Sequence, residues 1–260
     1  MSESINSTWF YQQLGLPEKA LLQARIYKKQ LLENADLTIS DRKWINEEIE
    51  SIEWRYTLKP ATVAIPKYED AEREYIEIDL LHITLKANTH VKRLSEVVQR
   101  AIPYPLIVVF EHADSLLISL ADKRINRSDS AKLTVEQFFE SGWFDKDSVN
   151  LTEIHRHFLK NLAFSKLPQL DLYTFYQAII VRFNALEAAK HTGKFTLTAD
   201  LQADKLRQEH LQTLKQLESQ LVSLKVQVKK ETQFNHKLEG NVQIKQLKQQ
   251  IQQLTTQLSA

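Results

Sequence analysis

The 260-residue chain contains no cysteine, only four glycines and six prolines. Without thiols there is no disulfide framework, no thiolate metal site and no cysteine nucleophile. The glycines, Gly15, Gly142, Gly193 and Gly240, are too widely spaced to form a phosphate-cradling loop, which excludes the usual kind of mononucleotide-binding NTPase. No apolar run reaches the roughly 18 residues of a membrane span, and the opening MSESINSTWF lacks the basic and apolar regions of a secretory leader. A cytoplasmic, membrane-free protein is therefore expected. Charge of one sign is also missing overall, the net being +1. It is unevenly spread: from Leu201 onward nine Lys and Arg face five Asp and Glu, a net +4, which leaves the first 200 residues at −3. Such a body is no broadly basic nucleic-acid surface.

What is present is apolar patterning. Leu106 to Phe110 is an unbroken apolar run, and Ser115 to Ala121 alternates, so a strand hairpin is predicted between Pro103 and the charged exit Asp122-Lys123-Arg124 and Arg127. Upstream, a short helix over Thr8–Leu14 stops at Gly15. A second helix is predicted from Pro17 to Asn34 on Ala20, Leu21, Ala24, Ile26, Leu31 and Leu32. Ser40-Asp41 should cap a third, with Trp44, Ile45, Ile49 and Ile52 in phase. Tyr56 to Ile65 reads as extended, with Pro60 marking an edge or bulge. After a charged loop, Tyr75 to Lys86 reads as a strand with a bulge near Leu80-Leu81, followed by a helix to Ile102 with Val91, Leu94, Val97, Val98 and Ala101 buried. Leu133 to Phe139 is a candidate edge strand. Helical pattern resumes over 151–193, closed by Gly193.

The expected fold is α+β: a mixed or antiparallel sheet with flanking helices over residues 1–200, including a helical subregion at 151–193, then a coiled-coil helix or helical hairpin over 201–260. In that tail Leu214, Leu217, Leu221, Leu224 and Val228 alternate in threes and fours. Continuing the register puts Glu231, Asn235, Leu238 and Val242 on the seam, and a new register starts with Ile244, Leu247, Ile251, Leu254 and Leu258. A break near Gly240-Asn241 is predicted. An apolar seam must find another helix, so Leu214, Leu217, Leu221, Leu224, Val228, Asn235 and Leu238 form the candidate assembly interface, within the chain or between chains.

Chemistry-bearing patterns are few. Glu77 and Asp79 with Lys86 are tested as a metal-dependent nuclease core, which needs an acid two residues before the lysine; that position is Thr84. A strand with solvated charges is the simpler reading. His155 and His157 diverge on a helix and do not share a metal, and His112 beside Glu111 reads as turn chemistry. No metal or cofactor is expected. Lys123, Arg124 and Arg127 are candidate phosphate contacts where the strand leaves the sheet.

Three strings carry a resemblance: Ile52-Glu53-Trp54-Arg55-Tyr56 with Leu58-Lys59-Pro60, Ile102-Pro103-Tyr104-Pro105, and Ile118 to Arg124, joined by Lys230 to Asn235 and Asn241 to Lys248. Together they resemble the bacterial family called domain of unknown function 4391. Members are encoded beside helicase and DNA methyltransferase genes in restriction-like or antiphage loci. The resemblance implies a defence role with a helicase, a methyltransferase or DNA as partner, and carries no catalytic residues across. Two functions are open: an accessory subunit assembled through the coiled coil, or an effector enzyme such as a nuclease.

Overall fold

The computed structural model describes residues 8–34, 37–126, 133–198 and 200–259. They divide into two compact units, Met1–Phe183 and Asn184–Ala260. The boundary falls inside a helix, upstream of the composition change near residue 200.

The first unit is α+β, as expected. Its sheet runs β1 (Leu21–Ile26), β2 (Ile49–Leu58), β5 (Ile78–Leu85), β6 (Leu106–His112), β7 (Ser115–Ile125) and β8 (Leu133–Glu140), with β9 (Phe144–Asp145) also on β7; β3 (Tyr68–Glu69) and β4 (Glu74–Tyr75) form a separate ribbon. All pairings in the main sheet are antiparallel except β5 with β6, which are parallel and joined through helix α5 (Val91–Ala101). The β6–β7 hairpin turns at Ala113, which adopts a left-handed φ of 50°. The strands in the middle are covered on both faces, which explains why β5 and β6 read as nearly continuous apolar runs.

One face carries α2 (Lys28–Asn34), α3 (Ile39–Glu48) and α5 over a core of Ile45, Ile52, Leu81, Ile83, Val108 and Phe110. A capping box starts α3: Asp41 N donates to Thr38 Oγ1, and Thr38 N donates to Asp41 Oδ2. The Arg93 guanidinium grips both oxygens of that buried Asp41 at 2.8 Å, tying α5 to α3 and holding the carboxyl well below its ordinary pKa. The other face carries α1 (Thr8–Leu14), α6 (Glu153–Asn161) and the first half of α7 (Leu172–Thr192). There Phe10, Leu58, Leu80, Ile107, Phe175 and Phe183 surround an apolar void of about 30 Å³. Tyr176 spans the end of the β6–β7 ladder: its hydroxyl donates to Leu106 O at 2.8 Å and accepts from Ala121 N.

Three expectations are corrected. The helix predicted from Pro17 is a 3-10 turn at Glu18–Ala20, then edge strand β1, then α2. Ile49 and Ile52 belong to β2 rather than α3, and pair with Leu85 and Ile83. The stretch from Tyr56 is extended only to Leu58; Pro60 then opens a helical turn, α4 (Pro60–Val63), where its missing N–H is harmless. The predicted irregularity near Leu80-Leu81 is present, but its extra residue is Arg55 on the facing strand.

The second unit contains the end of α7, stopped at Gly193 with φ +75°, and the helices α8 (Leu201–Lys230) and α9 (Phe234–Ser259), packed together as a hairpin. Leu214 and Leu258 bury against Ala188, with Leu211, Ile251 and Leu254 around them. The turn lies at Glu231–Gln233, where Glu231 Oε1 accepts from Thr232 N and Gln233 N, and not at Gly240. Gly240 instead serves the packing of the two helices. A Cβ there would overlap the Cγ2 methyl of Val228, so the glycine lets α8 and α9 approach closely.

Candidate functional site

The three nuclease candidates do not converge. Asp79 is the second residue of β5, and Lys86 is exposed beyond the strand's other end, about 23 Å away at a rise of about 3.3 Å per residue. Their odd spacing also places them on opposite faces of the sheet. Glu77 precedes the strand, part-exposed. Among the described residues, no three His, Asp or Glu side chains cluster as a cation would require.

Asp79 is nonetheless unusual. It is 0% exposed on the α5 face, neither carboxylate oxygen makes a hydrogen bond, and the buried Trp54 Nε1 is likewise without a partner. Burial, followed by the charge of Glu77, raises its pKa to about 7, with the nearby Thr57 and Trp54 side chains and the Lys123 charge working in the opposite direction. A carboxyl in this setting is held largely protonated below neutrality.

Lys123 is where the phosphate reading is corrected. It is 2% exposed, and its Nζ donates to Ile102 O at 2.9 Å and Tyr104 O at 2.6 Å, satisfying carbonyls left free at the end of α5. Burial lowers its pKa to about 7, against the raising charge of Asp79. An ammonium turned inward like this cannot meet a phosphate. Arg124 is spent on Glu136, Nε to Oε1 at 2.8 Å. Arg73 Nη2 takes the other Glu136 oxygen at 2.7 Å while its Nη1 reaches Asp122 at 3.0 Å. Two guanidiniums against two carboxylates leave no basic excess here. Arg127 lies outside the described residues.

A polar chain with no signature in the sequence crosses the opposite face. Tyr11 hydroxyl lies 2.6 Å from His82 Nδ1, His82 Nε2 lies 3.0 Å from Glu111, and Lys146 reaches Glu111 at 3.3 Å. Arg55 stacks over the Tyr11 ring at 4.0 Å and pairs with Glu53. The His82 hydrogen bond is the main cause that holds Glu111 below its ordinary pKa; burial raises Tyr11 well above its own. The one hint along the chain is a histidine set between the apolar Leu80-Leu81 and Ile83 of β5. Tyr, His and Glu in series have the composition of a proton relay, but Tyr11 of α1 and His82 and Glu111 of the sheet are all buried where the helix meets the strands. Their evident work is to fasten α1 to the sheet. His112 is turned away from this chain, toward Leu85 O at 3.2 Å.

The hairpin presents the larger exposed feature. Leu214, Leu217, Leu221, Leu224 and Val228 share the side of α8 that faces α9, where Gly240, Ile244, Leu247, Ile251, Leu254 and Leu258 answer them. Asn235 and Leu238 are exposed on α9 and take no part in that seam. Phe234, Leu238 and Val242, at four-residue intervals, are 77%, 56% and 51% exposed, and Val222 and Val226 are exposed on α8. Lys225, Lys229, Lys237 and Lys245 stand among them. Isolated exposed apolar residues are ordinary, whereas these three recur at helical spacing along one solvated helix.

Among the described residues, no helix is long and apolar enough to cross a membrane. No curated protein and no solved structure matches the chain. A family model does, over residues 14–251. The match takes in the sheet, the buried Asp79 and Lys123 and most of the hairpin, so the chain belongs to the family described as domain of unknown function (DUF4391).

Proposed function

We propose that this chain is a non-catalytic accessory or scaffolding subunit of a bacterial restriction-like or antiphage defence system, acting in the cytoplasm. It contacts a helicase, a DNA methyltransferase or DNA of the same system, and its C-terminal hairpin is the assembly device. The observation that carries the reading is the ridge Phe234, Leu238 and Val242 on α9, which the hairpin's own seam leaves uncovered. The lysines around it favour a partner helix bearing apolar and acidic side chains. Among the described residues of the body, Lys123 and Arg124 are engaged internally, which leaves the hairpin as the surface on which the reading rests.

Affinity capture of the tagged full-length chain from a host carrying its native locus tests this. The wild type should retain the helicase or methyltransferase; Leu238→Glu with Val242→Glu should lose it while keeping its helical signal. An unchanged catch would sink the assembly reading. The rival reading, a metal-dependent nuclease, draws its support from the unpartnered Asp79. It takes over if the purified chain cleaves DNA with Mg²⁺ and Asp79→Asn abolishes the cleavage.

A further inference from the structure

The hairpin has two unlike flanks. On one, a groove of about 340 Å³ runs between α8 and α9, floored by Leu224 and Leu247 and walled by Gln220, Gln243, Gln246 and Gln250. None of these four amides makes a hydrogen bond among the described residues. At about 100° per residue, Val222, Lys225 and Lys229 of α8 fall on the opposite flank, as do Phe234, Lys245 and Lys248 of α9. The seam itself is only partly closed: Leu214 and Leu258 are buried at its base, while Leu217, Leu221, Leu224 and Leu247 remain part-exposed.

We infer that the glutamine flank is where a second copy of this chain packs, so that two hairpins form a four-helix bundle across a two-fold axis. Each glutamine amide is both donor and acceptor and carries no charge, so a wall of them is complementary to itself. The lysines that give the tail its net +4 sit largely on the other flank and at the tips, where pairing through the glutamines does not force them together. The second copy would cover Leu224 and Leu247 with their own symmetry mates, supplying the layer that a two-helix seam lacks. Because this rests on the hairpin being the assembly device, it divides the labour: one flank takes a copy of the chain, while the α9 ridge stays open for a different partner.

Sedimentation equilibrium of the full-length chain tests it. The wild type should weigh twice 30.3 kDa. Gln220→Lys with Gln246→Lys should halve the mass, and Val222→Lys with Phe234→Lys on the opposite flank should leave it doubled. A monomeric wild type, a dimer that survives the glutamine changes, or a dimer lost only through the opposite flank overturns the inference. If the lysine variant loses helix, the absence of native cysteine gives an independent readout. Gln246→Cys should join two chains through a short bis-maleimide linker, whereas Val222→Cys should not; the reverse pattern overturns the pairing. A monomer that still captures its helicase or methyltransferase refutes only the pairing, and a dimer that captures neither refutes only the accessory-subunit reading.

Discussion

Replacing Asp79 with asparagine should stabilise the sheet unit at alkaline pH and do much less in acid. The folded state holds Asp79 fully buried with no hydrogen bond to either oxygen, and its pKa rises from an ordinary 3.8 to about 7. Below pH 3.8 the carboxyl is protonated in both folded and unfolded chains and contributes nothing. Between 3.8 and about 7 the unfolded chain gives up the proton and the folded one keeps it, so stability falls as pH rises. Above about 7 the full penalty stands, about 4 kcal/mol at about 1.4 kcal/mol per tenfold. Asparagine, neutral throughout, escapes it. Lys123 titrates in both chains, so only its coupling to Asp79 enters the difference. The advantage of Asp79→Asn should therefore grow by roughly 2 to 3 kcal/mol between pH 5 and pH 8, or about 1 M in urea midpoint for a slope of about 2 kcal/mol per M. All four tryptophans lie in the first unit, so fluorescence-monitored urea unfolding reports on it selectively. A difference independent of pH, or an asparagine variant that loses ground as pH rises, would refute the reasoning and show Asp79 held as a carboxylate by Lys123.

The latch beneath α1 and the close approach in the hairpin yield further expectations. Because Glu111 has a depressed pKa, its bond to His82 stabilises the fold above the unfolded value and is lost as pH falls through the folded one. Glu111→Gln should thus cost about 1 to 3 kcal/mol at pH 7, with the deficit shrinking in thermal melts below about pH 4. Tyr11→Phe, which removes one neutral partner of His82, should cost about 1 kcal/mol. In the hairpin, Gly240→Leu forces a side chain onto Val228 and should cost about 1 to 3 kcal/mol of overpacking, partly offset by about 1 kcal/mol of helix propensity. Adding Val228→Ala should restore much of the loss, and a double-mutant cycle with no coupling would remove Gly240 from its assigned role.

Elements whose patterning is local were legible in the sequence. The β6–β7 hairpin, the buried stripe of α5 and the stop of α1 at Gly15 each follow from residues within one element. Strand β1 was not legible: Leu22, Ala24 and Ile26 alternate with Gln23 and Arg25, but the same apolar residues also fit a helical stripe with Leu31 and Leu32, and the largely exposed segment becomes a strand by pairing with β2, with Gln23 at φ 53° beside a register shift. Tertiary pairing outweighed local propensity there. Both tail registers were readable, but glycine is the residue a sequence pattern credits with the turn, whereas a glutamate accepting two backbone N–H groups makes it. Charge runs mislead in the same way. Lys123 sits in a sequence that reads as solvated, and only the crossing of α5 over the sheet turns it inward to the Ile102 and Tyr104 carbonyls. Likewise, no spacing rule links Tyr11, His82 and Glu111, which are neighbours only because α1 lies across β5 and β6.

In the proposed assembly the exposed ridge of α9 is covered. Amide hydrogen exchange of the full-length chain, free and bound to the same-locus helicase or methyltransferase, measures that cover directly. Exchange over Phe234–Val242 should slow on binding, with the sheet unit unchanged. Protection confined to the sheet, with the ridge exchanging as fast as in the free chain, would contradict it.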